Sequence, residues 1–118
     1  MRFPFTALTL ALALSSPAFA AGPNGGQVVM AEDHPVELVV TDTDLTFFVS
    51  EEAGQPIATA GLTGKAYIQA GGKTETVALK GAAPNRFVGA LKAPLPPGAK
   101  IVLSARVHGH GLQVRFER

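Results

Sequence analysis

The sequence predicts an all-β domain, a single antiparallel β-sandwich of about seven to eight strands, behind an N-terminal signal peptide. Three observations carry this expectation. Beyond residue 20 no long stretch repeats apolar residues at three-to-four spacing, and glycine or proline interrupts the chain every few residues. Short runs of alternating apolar and polar residues recur instead, parted by turn clusters at the spacing of a sandwich. The stretch from Ala21 to Arg118 contains no cysteine, so its core must come from apolar burial alone, at a length that suits one domain.

The leader is read at residues 1–20. Arg2 supplies a positive start, Phe3 to Leu14 form an apolar run, and Ser15-Ser16-Pro17 leads into the small-residue cleavage signal Ala18-Phe19-Ala20. The run falls short of the roughly 20 residues a membrane-spanning helix needs. The expected division is therefore a signal peptide at 1–20 and a β-sandwich domain at 21–118, exported and soluble, with no membrane insertion after cleavage.

Eight strands are expected in order: Gln27 to Met30, Val36 to Thr41, Leu45 to Ser50, Lys65 to Gln69, Thr74 to Leu79, Arg86 to Leu91, Ile101 to His108 and Leu112 to Glu117. In the second, Val36, Leu38 and Val40 should face inward; in the third, Leu45, Phe47 and Val49, which leaves Phe48 outside. Between them Asp42 and Asp44 read as turn residues. A three-residue loop, Gly71 to Lys73, would set Tyr67 opposite Val77, whereas a two-residue Gly71-Gly72 turn would set Ile68 opposite Glu75; the former looks better, and the register stays open. Ala58 to Gly64 reads as a loop between sheets, and the proline-rich run Pro94 to Gly98 as a stiff connection. In the last hairpin a Gly109-His110 turn of type II′ would pair Val107 with Leu112, Ala105 with Val114 and Leu103 with Phe116, all apolar. Phe47, Leu103, Val107, Val114 and Phe116 are the expected centre of the core. The pattern is that of an immunoglobulin-like sandwich.

Loss of Arg2 with the leader would leave nine basic and nine acidic residues. Lys65, Lys73, Lys80, Lys92 and Lys100 are spread along the chain, so neither nucleic acid nor a membrane surface is expected as a partner. The lack of cysteine excludes thiol catalysis, a thiolate-copper site and a lipid-modified amino-terminal cysteine. No nucleophile elbow, phosphate-cradling glycine loop or His-Glu-x-x-His helix is present, so the chain is not expected to be an enzyme.

Chemistry rests on three histidines. His108 and His110 flank Gly109 on a turn, where two imidazoles joined by other ligands would suit copper or zinc. His34 and Met30 form a second candidate pair, an imidazole and a thioether suited to Cu(I). The bland reading of each is a turn residue or, for Met30, core filler.

Gly22-Pro23-Asn24-Gly25-Gly26-Gln27-Val28-Val29, His34-Pro35-Val36-Glu37-Leu38-Val39-Val40 and Leu45-Thr46-Phe47-Phe48-Val49, followed by Gly54-Gln55-Pro56-Ile57 and the Gly71-Gly72-Lys73 turn, carry a resemblance. The chain resembles small exported β-sandwich domains that occur alone or attached to periplasmic adaptor subunits of heavy-metal efflux systems. The resemblance implies a periplasmic location and an association with metal handling. Where such domains often carry a histidine beside the Gly-Gly segment, this chain has Asn24. The sequence thus leads to two expectations: a non-enzymatic periplasmic protein that binds or buffers a transition metal, copper foremost, through His108, His110, His34 and Met30; or an interaction module that docks on an efflux or envelope protein through a sheet edge or Phe48.

Overall fold

The computed structural model describes residues 21–118; the expected leader lies outside the described residues. Eight strands follow in chain order: β1 (Gln27–Ala31), β2 (His34–Val40), β3 (Asp44–Val49), β4 (Thr63–Ala70), β5 (Lys73–Ala82), β6 (Arg86–Ala90), β7 (Lys100–Val107) and β8 (His110–Glu117). Each coincides with an alternating run of the sequence to within a few residues at its ends. Every pairing is antiparallel. Among the described residues no helix is long and apolar enough to cross a membrane.

The strands form one continuous antiparallel sheet in the order β1-β2-β3-β6-β5-β4-β7-β8, all-β as expected and not clearly divided into two sheets. The sheet curls until its two ends approach, and Gln27 Nε2 donates to the Glu117 carbonyl at 2.8 Å, making a nearly closed barrel. β5 joins the two halves of the sheet, pairing with β4 along its course and with β6 through Lys80, Gly81 and Ala82. A side chain at Gly81 would run into the carbonyl oxygen of Thr59, so only glycine permits the close approach of the 59–62 segment. Thr59 is itself fully buried, its hydroxyl 2.8 Å from the Ala82 carbonyl and 2.9 Å from that of Arg86.

The inward residues are those the alternation selects. Val36, Leu38, Leu45, Phe47 and Val49 meet Ile101, Leu103, Val107, Val114 and Phe116 inside the barrel, all buried. The rings of Phe47 and Phe116 lie 5.8 Å apart at 53°, a tilted contact that joins strands from opposite sides of the core. Val40, also expected inside, is only partly buried.

Two registers differ from expectation. β7 and β8 pair Val107 with His110, Ala105 with Leu112, Leu103 with Val114 and Ile101 with Phe116, two residues away from the predicted alignment. The turn is His108-Gly109, not Gly109-His110, and both residues have positive φ, 52° and 75°, as a type I′ turn requires. A shift of two preserves which residues face inward, so the apolar pattern could not distinguish the alignments. Between β4 and β5 the shorter Gly71-Gly72 turn is formed, with Ile68 opposite Glu75 and Tyr67 opposite Thr76. This alignment pairs Ala66 with buried Val77 and leaves Tyr67 outside.

Candidate functional site

The β1–β2 turn, the segment after β3 and the β7–β8 turn meet at one end of the barrel, and their contact is made by Glu51. His108 Nε2 lies 3.0 Å from Glu51 Oε2, and His34 Nδ1 lies 4.0 Å from Glu51 Oε1. His108 is displayed because it occupies a left-handed turn position and leaves its side chain about half exposed. Arg106 Nη2 donates to the Gly109 carbonyl at 2.9 Å and braces the same turn. His34 begins β2, and its Nδ1 is buried without a hydrogen-bond partner.

The structure thus brings His34 and His108 to one carboxylate, a residue the sequence reading did not select. The only sequence signal for Glu51 is its place in an acidic pair after a strand, and such pairs are ordinary solvated turns. His110 opens β8 opposite Val107, exposed, and its side chain has no hydrogen bond or ion pair among the described residues. Met30 pairs with Pro35 and His34 with Ala31, so the two-residue period puts Met30 and His34 on opposite faces of the β1–β2 hairpin. Met30 is 58% exposed, which corrects its reading as core filler.

Among the described residues no group of three or more His, Cys, Asp and Glu side chains is arranged to hold a metal ion as it stands. His34, Glu51 and His108 lie in a chain with the carboxylate in the middle. The donor set is nevertheless of the right kind: two imidazoles and a carboxylate suit zinc or copper(II), and His34 Nδ1 has no competing partner.

A second carboxylate shapes the adjoining surface. Glu37 is buried although it points out of the barrel, because the Gly22-Pro23-Asn24-Gly25-Gly26 loop folds over it. Asn24 N donates to Oε2 at 2.9 Å, Asn24 Nδ2 to Oε1 at 3.0 Å and Gly26 N to Oε2 at 2.7 Å. Beside this cap, Phe48 lines a hollow of about 600 Å³ together with Pro23, Pro35, Pro56 and Pro84. Asp42 and Asp44 lie at the β2–β3 turn, where Asp44 N donates to Thr41 Oγ1 at 3.0 Å, as expected of turn residues.

In comparisons with known proteins, no family model, curated protein or solved structure matches this chain.

Proposed function

We propose that the protein is a non-enzymatic, exported β-domain that binds or buffers a transition metal, copper foremost, through His34, Glu51 and His108. One observation carries the reading: two of the chain's three histidines, 74 positions apart, converge on one carboxylate. Exposed side chains at Glu51 and His108 can rotate toward a shared ion, and the buried Nδ1 of His34 lies 4.0 Å from the same carboxylate without a hydrogen-bond partner. Zinc is the alternative cation, since the same donors suit it. The proposal extends to the periplasmic setting and the connection with metal efflux that the resemblance implies, with the two four-stranded halves of the barrel acting as the layers of an immunoglobulin-like sandwich.

Titration of residues 21–118 with Cu(I), Cu(II) and Zn(II) against competing chelators tests it. Saturation at one ion per chain, lost in a His34→Asn, His108→Asn double variant, is expected. Binding no tighter than about 10 µM, or equal in the double variant, would overturn it.

The Phe48 hollow favours a second reading, an interaction module that docks on an efflux or envelope protein. Four prolines and an aromatic ring offer a rigid apolar recess with little ordering entropy to lose. A partner recovered from envelope extract and lost with Phe48→Ser, while metal binding is absent, would favour it over the first.

A further inference from the structure

The basic residues are gathered where the fold needs none. Residues 21–62 contain seven acidic residues and no lysine or arginine, whereas residues 63–118 contain nine basic residues and only Glu75 and Glu117 as acids. The lysines, read above as spread along the chain, are thus concentrated in its second half, and strand pairing concentrates them further. On the outer face of β5-β4-β7-β8, Lys80, Lys65, Lys100, Arg106 and Arg115 all stand exposed.

Tyr67, the chain's one tyrosine, sits in the middle of this face, 36% exposed. It forms a wall shared by two hollows. One, of about 450 Å³, is also lined by Lys100 and Arg115; the other, of about 760 Å³, by Lys65 and Arg106. Between the cations the register places short hydroxyl and amide side chains: Thr76 beside Tyr67, and Ser104 between Lys65 and Gln113. The acids that reach the face are Glu117 beside Lys100 and Glu32 at the rim of the larger hollow. With strands about 4.8 Å apart, the four span roughly 15 Å, a breadth that accommodates a few sugar units.

We propose that this face binds an acidic polysaccharide, a chain of uronate sugars. A sugar ring packs on Tyr67, carboxylates of the neighbouring units pair with Arg115, two strands across in the same row, and with Lys65, two residues along β4, and the hydroxyl and amide side chains bond the sugar hydroxyls. Single-stranded nucleic acid matches less well, because successive bases call for successive aromatic platforms and the face has one. A lipid surface matches less well too, because no large apolar side chain besides Tyr67 is exposed there to enter it. None of His34, Glu51 and His108 belongs to this face, so this inference and the metal reading fail separately.

The test is binding of residues 21–118 to alginate oligomers, with neutral dextran, single-stranded oligothymidine and phosphatidylglycerol vesicles as comparison arms. Alginate should bind and dextran should not, with affinity falling about tenfold or more between 50 and 300 mM salt. Tyr67→Phe should bind as wild type, while Tyr67→Ala and the Lys65→Gln, Arg115→Gln pair should each lose about tenfold. These positions are exposed, and unchanged urea midpoints would show the variants folded. No alginate binding, binding indifferent to Tyr67→Ala and to the charge pair, or tighter binding to oligothymidine or vesicles than to alginate would overturn the proposal.

Discussion

His108 Nε2 lies 3.0 Å from Glu51 Oε2, although 57 positions separate them in the chain. The contact fastens the β7–β8 turn to the segment after β3 and leaves the other oxygen of the carboxylate facing His34. If this carboxylate is the hub of a metal centre, Glu51→Gln should weaken Cu(II) binding by about tenfold or more, whereas His110→Asn should leave it unchanged. Chelator competition on the two variants measures both, and the reverse order would move the centre to the turn tip.

Proton competition follows from the same donors. An imidazole ligates through an unprotonated nitrogen, so bound copper should be released as the solution turns acid. Binding is therefore strongest at and above neutrality and lost toward acid, the sign expected when protons and metal compete for one lone pair. A titration monitored between pH 5 and 8 checks this; occupancy that rises toward acid would contradict it.

The core should respond quite differently. Phe47 is fully buried and in contact with Phe116, so Phe47→Ala should cost roughly 3 to 5 kcal/mol in urea unfolding. That is a large share of a small domain's stability. A loss below 1 kcal/mol would mean the cavity collapses around the missing ring.

Glu37 holds the loop of residues 22–26 through three donors within 3.0 Å. Glu37→Ala would strand the amides of Asn24 and Gly26, at a cost of about 1 to 3 kcal/mol. Hydrogen exchange should show these two amides opening first, with β4 and β7 unaffected. Uniformly faster exchange through the whole barrel would instead make Glu37 a global support.

What could be read from the sequence follows a physical divide. Alternation locates all eight strands and the inward positions of Phe47, Leu103, Val107, Val114 and Phe116, because burial of one sheet face is a local constraint on every second residue. It does not say whether the sheet splits or curls, since inward residues look alike in a sandwich and a barrel. His34 and His108 could be selected as imidazoles from composition. Glu51 could not, because its significance arises from two turns that only the closed fold brings to it. The division of charge near residue 62 lies in the sequence, but the lysines read there as spread along the chain, and it becomes a surface only through the pairing of β4 with β5 and β7.

The His108-Gly109 turn acts as the index mark of the last hairpin. Sliding β8 by two residues would keep Leu112, Val114 and Phe116 inside, so the alternation is blind to the choice, but it would carry the Phe116 ring about 7 Å along the strand, away from Phe47. The same alignment is held at the tip by the positive φ of His108 and Gly109, the brace from Arg106 and the contact of Glu51 with the imidazole. With β7 already held by β4, the turn and the Phe116 ring together keep β8 in step, one from each end of the strand.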